Sequence, residues 1–338
     1  MDTWLWLTIS EGCLLGTMKI FHGLVGNLSP TLCHVAFATA LVGFLQMAIG
    51  FLGARVRNEK VLIHRYNIAG FLVFGLFGFF ATLFSFLAFR YGARADMGTN
   101  TFIVSILIIA PAALIGRFAF HEDIQWRQCF GGLIAVLGGA ILLSPAALAG
   151  GFPVWVWWSL VTMLAASGSA TTAKTLAYLT KAGKIVRVST YANIFVLNFW
   201  GGVAVSACSL GILLFSVEGR TVLGYAWHHP PWTVGGYALV VAVTNMGWWS
   251  CRQVGFQYGA PYFFRMLPWS ACFLGTATFG GVLIFHDPLP ATKILGLLLF
   301  LPAIFVHEAG WRYCSLAPVA KIFHALLSPL HHGLERKV

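Results

Sequence analysis

The chain has 338 residues, of which 59% are apolar and 9% are Asp, Glu, Lys or Arg, and its mean hydropathy is +0.81. Soluble domains carry about 25% charged residues, so a water-soluble enzyme is excluded, as are disordered, collagenous and coiled-coil chains. The net charge of +11 does not mark a nucleic-acid binder, because the basic residues are scattered between apolar runs, where cations orient membrane spans.

A helix that crosses a bilayer needs about 20 mostly apolar residues. Ten such runs follow one another, at 3–23, 31–53, 67–88, 96–117, 128–144, 154–173, 189–214, 234–250, 262–284 and 292–308. They are too long and too evenly apolar for barrel strands, so the expected fold is an all-α integral membrane bundle of ten transmembrane helices. The first run has no basic leader ahead of it and reads as a retained span. It also carries Glu11, Lys19 and His22, and ionisable groups inside a span are functional candidates by default. Glu11 and His22 fall about 20° apart on the helical wheel and Lys19 about 80° from Glu11. One side of a cavity can thus hold a carboxylate, an amine and an imidazole, with Glu11 or His22 as proton carrier. The other reading of Glu11 is an ion pair that only locks helices together. Gly12 and Gly16 point to close helix packing.

The fourth span contributes Asn100, and the sixth a run of small residues from Ala165 to Ala173 that suits close packing. Asn193 and Asn198 lie in the seventh span and Asn245 in the eighth. Each amide offers donors and acceptors to a polar solute, and each is equally a device for joining helices in lipid. Of Trp248 and Trp249, one is expected to wall the cavity and the other to face lipid. Arg252 ends the eighth span and is expected to snorkel to the interface. Arg265 stands one turn into the ninth, ahead of Pro268, which loosens the backbone. With Lys19 and Lys174 it outnumbers the one deep acid, which favours an anionic or zwitterionic solute.

With the N-terminus cytoplasmic, most Lys and Arg fall on the cytoplasmic side, while Arg90, Arg94, Arg220 and Lys293 fall opposite and Lys19 lies within the first span. The positive-inside rule selects this orientation, with both termini in the cytoplasm. Trp4, Trp6, Trp126 and Trp311 near one interface, and Trp155, Trp157, Trp158, Trp227 and Trp232 near the other, read as aromatic belts. The seven cysteines form no C-x-x-C pair, so neither a disulfide framework nor a metal site is expected, and no cofactor is implied.

Two segments repeat. Phe89-Arg90-Tyr91-Gly92-Ala93 matches Phe256-Gln257-Tyr258-Gly259-Ala260, and Phe120-His121-Glu122-Asp123 matches Phe285-His286-Asp287-Pro288. The matched spans are offset by five, an odd number, so the halves 1–150 and 151–311 would be inverted repeats. Such repeats are a hallmark of secondary transporters. The remaining 312–338 reads as a cytoplasmic amphipathic tail.

On these motifs, together with Gly16-Thr17-Met18-Lys19 and Asn27-Leu28-Ser29-Pro30, the chain resembles the drug/metabolite transporter superfamily in its EamA-like ten-helix form. It departs from that pattern at Asp287-Pro288, where Glu is usual, and in its longer tail. Glu122 and Asp287 are expected to hold short turns. The resemblance implies alternating access around a central cavity and leaves the substrate open. The expected function is secondary transport of a small polar or amphipathic organic metabolite, proton-coupled or by exchange, and not enzymatic catalysis. Glu11, Lys19, His22, Asn100, Asn193, Asn198, Asn245, Trp248 and Arg265 are the expected solute contacts. A lipid or lipid-linked headgroup is the alternative cargo, and a membrane-embedded enzyme or receptor the third class. Membrane lipids and a second copy in a homodimer are the expected partners, with no nucleic acid, and the short loops suit a bacterial inner membrane.

Overall fold

Long apolar runs fill the helices, and Pro30, Gly92, Pro153, Pro231, Gly259 and Pro290 stand at or near helix ends. The computed structural model describes residues 3–92, 97–142, 153–263 and 265–307. Among these residues the regular structure is helical and contains no strand. The helices are α1 (Thr3–Leu28), α2 (Leu32–Val56), α3 (Arg65–Arg90), α4 (Met97–Ile106), α5 (Ile109–Ala119), α6 (Trp126–Leu142), α7 (Val154–Lys181), α8 (Thr190–Phe215), α9 (Val217–His228), α10 (Trp232–Gln257), α11 (Met266–Phe285), α12 (Ala291–Leu298) and α13 (Phe300–His307).

Two of the breaks have the same cause. α4 and α5 form one rod interrupted at 107–108, four residues before Pro111, and α12 and α13 are interrupted at Leu299, just ahead of Pro302. Proline removes the amide that would bond back four residues and its ring crowds that carbonyl. Counted as rods, the described residues form eleven helices and not ten. The extra one is α9, a 12-residue helix bearing Glu218 and Arg220 that Ser216 caps by accepting from Gly219 N at 2.9 Å.

Among the described residues five helices are long and apolar enough to cross a membrane: Leu32–Val56, Arg65–Arg90, Met97–Ala119, Thr190–Phe215 and Met266–Phe285. Outward faces are apolar, with Leu137, Leu164, Phe279 and Leu283 all exposed. The chain is built as an integral membrane protein. Trp6, Trp126, Trp157, Trp227 and Trp232 are exposed as belt residues should be, whereas Trp4 and Trp155 are buried in the bundle. The 312–338 tail, Trp311 and Arg94 lie outside the described residues.

α1 packs against α10 and α11, α2 against α8, α3 against α7 and α8, and α6 against α12 and α13. Lipid gives helices no hydrophobic reason to associate, so close contact relies on small residues. A Cβ added at Gly12 would stand 2.6 Å from Trp269 O, and one at Gly16 2.9 Å from Phe273 O. These two glycines let the α1 backbone lie directly on α11.

The repeated motifs adopt matching turns. Gly92 and Gly259 follow α3 and α10 with φ of 118° and 85°, and His121 and His286 follow α5 and α11 with φ of 53° and 56°. After each histidine the next amide closes the same six-residue loop, Glu122 N to Gly116 O at 2.9 Å and Asp287 N to Gly281 O at 3.2 Å. Left-handed backbone is costly for a residue with a Cβ, so its recurrence at two matched histidines marks a shared local design.

Candidate functional site

The deepest charges meet where α1, α7, α10 and α11 converge. Glu11 is fully buried, and its carboxylate is shared by two guanidiniums. Arg252 donates from Nε to Glu11 Oε1 at 2.8 Å, with Nη2 2.7 Å from the same oxygen, and Arg265 Nη2 donates to Oε2. Arg252 Nη1 also donates to Ala166 O at 3.1 Å and to Ser169 Oγ at 2.5 Å. The small-residue run of α7 makes this possible, because no bulky side chain screens its backbone carbonyl from the guanidinium. Rings complete the cage: Arg252 Cζ lies 4.6 Å from the Trp248 ring centre, and Arg265 Cζ 4.5 Å from that of Phe256. Two cations around one carboxylate leave one positive charge unmatched, and Arg265 Nε and Nη1 have no hydrogen-bond partner among the described residues.

Three expectations change here. Arg252 does not snorkel; it is 1% exposed, because Glu11 and the α7 carbonyl offer it a better environment than the interface. Arg265 is not one turn inside a helix but immediately precedes α11, and Pro268 falls in the first turn, where proline is tolerated. Trp248 and Trp249 are both buried, so neither faces lipid. Trp248 Nε1 donates to Asn245 Oδ1 at 2.7 Å, while Trp249 packs edge-on against Phe74.

Lys19 and His22 form a second cluster, two turns further along α1. Eight residues separate Lys19 from Glu11, a rise of about 12 Å, so the structure divides a set expected to act together. Lys19 Nζ donates to Ser85 Oγ at 2.8 Å, and His22 Nδ1 lies 2.8 Å from the same hydroxyl. A hydroxyl that accepts from an ammonium can still donate its own proton, which suits an unprotonated His22 Nδ1. Lys19 Nζ sits 5.2 Å from the Phe89 ring centre, and no carboxylate pairs with it among the described residues. His22 Nε2 is buried and has no hydrogen-bond partner among the described residues.

The asparagines divide. Asn198 joins helices, accepting from Gln46 Nε2 at 2.6 Å and donating to Ser250 Oγ at 3.2 Å. Asn100 links α4 to α7 through Ser159 Oγ at 2.6 Å. Asn193 donates to Ser189 O at 3.0 Å within the first turn of α8. Asn245, beside Trp248, has no partner for its Nδ2 among the described residues. Ser85 and Gln46 escaped the sequence reading because one hydroxyl or amide in an apolar run gives no signal. Arg252 was visible there but was assigned to the wrong environment.

Glu122 and Asp287 do more than hold turns. Glu122 accepts from the backbone amides of Tyr262 and, at 2.8 Å, Phe263, and lies 3.5 Å from Lys174 Nζ. Asp287 Oδ2 accepts from Met97 N at 3.2 Å. Each acid thus fastens the turn after one helix to the start of another, Glu122 from α5 to α11 and Asp287 from α11 to α4.

No family model matches the chain, and no curated protein matches it. Among 28 matching chains of known structure, one described as "Crystal structure of protein" is 16% identical, with a TM-score of 0.61 over 91% of this chain and 98% of its own. At that identity the likeness is one of fold.

Proposed function

We propose that the protein is a secondary transporter of the drug/metabolite transporter type, moving a small polar organic solute by alternating access between two inverted halves. The observation that carries this reading is the buried cluster of Glu11, Arg252 and Arg265. Charges are expensive inside a membrane protein and persist where they meet a cargo or coupling ion. The unmatched guanidinium favours an anionic or zwitterionic solute. Among the described residues both oxygens of Glu11 are engaged by guanidiniums, whereas the ring of His22 has only the Ser85 hydroxyl at Nδ1, so coupling is assigned to His22.

The ten-span, two-fold reading draws on packing. Exchanging the halves turns α1 against α10 into α7 against α3, and α3 against α8 into α10 against α2, and all four contacts occur. The acid staples exchange in the same way, Glu122 for Asp287. With the Lys181, Lys184 and Arg187 end in the cytoplasm, the charge pattern favours cytoplasmic termini.

The test is uptake into proteoliposomes of a panel of amino acids, sugar phosphates, nucleotide sugars and quaternary amines. Saturable uptake of an acidic or zwitterionic member is expected. Flipping of lipid headgroups with no uptake of any soluble member would overturn the solute reading.

A further inference from the structure

A cavity of ≈ 970 Å³ opens where α7 and α10 end, a volume within the range of small-molecule sites. Its wall carries Lys174, Lys181 and Arg187 together with the rings of Phe120, Tyr178 and Phe256. Among the described residues the one acid in that wall is Glu122, which is already held by two backbone amides. Three cations against one carboxylate leave an excess of two positive charges. Lys174 stands between rings, its Nζ 5.4 Å from the centre of Phe256 and 6.0 Å from that of Phe120. Arg265 lies against the same Phe256 ring at 4.5 Å. That ring therefore lines the cavity and contacts the Glu11 cluster as well.

One part of this arrangement, a lysine over a ring, occurs a second time. Thr17-Met18-Lys19 parallels Thr172-Ala173-Lys174, and Phe89 and Phe256 are matched positions of the repeat. Lys19 Nζ stands 5.2 Å from Phe89, as Lys174 does 5.4 Å from Phe256. The pairs belong to opposite ends of α1, since Gly26 meets Phe89 while Gly255, beside Phe256, lies against Leu7. Lys174 opens onto the cavity, but Lys19 is 2% exposed.

We propose that the cavity is a binding site for a small organic anion with a planar apolar body, anchored by Lys174, and that Lys19 with Phe89 is its closed equivalent at the far end. Binding at Lys174 stands without transport, whereas the equivalence of the two ends rests on the transport reading above. The three cations meet the anionic group and the rings take the planar body, so neither feature alone reproduces the affinity.

The experiment titrates the full chain, purified in detergent, with phenyl phosphate, and with inorganic phosphate and benzyl alcohol as single-feature controls. Phenyl phosphate is expected to bind saturably, about tenfold or more tighter than either control, and more weakly as salt rises. Lys174→Gln is expected to weaken binding about tenfold or more, and Lys174→Arg to restore most of it. The Lys181→Gln/Arg187→Gln pair alters exposed side chains, where substitutions usually change stability little, and should weaken binding several-fold. Equal affinity for benzyl alcohol, or unchanged affinity in both Gln variants, would overturn the site. Binding that follows this pattern in a protein that moves no solute would refute transport and leave the site standing; uptake with no such binding would do the reverse.

Discussion

Glu11 is the one fully buried acid among the described residues, and two guanidiniums depend on it. Removing one partner of a buried ion pair costs about 3–5 kcal/mol, because the remaining charge is stranded in an apolar interior. Glu11→Gln should therefore lower stability by about that amount in detergent unfolding. Adding Arg265→Gln should cost less than the sum of the two single losses, and strict additivity would show that the pair is not coupled. His22 carries a different expectation: His22→Gln should flatten the pH dependence of uptake, and an unaltered profile would remove it from coupling. The ionisable residues of α1 were legible in the sequence because charges stand out in an apolar run. Their partners were not, since Arg252 and Ser85 meet α1 across 241 and 63 residues of chain.

At the scale of the helix, the bundle depends on contacts that admit no side chain. Gly12→Leu would drive a Cβ to within 2.6 Å of Trp269 O and 2.8 Å of Cys272 Cβ. Such overpacking costs about 1–3 kcal/mol, read as a lowered unfolding temperature. Gly211→Ala, where a new Cβ meets nothing within 4 Å, should instead gain about 0.5–1 kcal/mol from helix propensity. Equal effects at both sites would show that α1 does not rest on α11. The spacing of Gly12 and Gly16 announced this contact, and the apolar runs announced most helix positions. The rod α9 was missed because Glu218 and Arg220 make it read as a loop, and the breaks near Pro111 and Pro302 depend on where a proline falls within a helix.

At the scale of the whole molecule, the proposal is of two related halves. Motif repeats in the sequence suggested this, and matched left-handed histidines, exchanged packing partners and reciprocal acid staples support it. The difference between the halves is as informative as the likeness. Lys174 opens onto a large cavity, while Lys19 is buried. A carrier that alternates access must at some time reverse this. The direct measurement places Lys19→Cys and Lys174→Cys, one at a time, in a background without the natural cysteines, and exposes sealed vesicles to a membrane-impermeant maleimide from either face. Alternating access predicts that Lys174→Cys reacts from one face and Lys19→Cys only from the other. Reaction of both from the same face, or a Lys19→Cys variant inert from both, would contradict it.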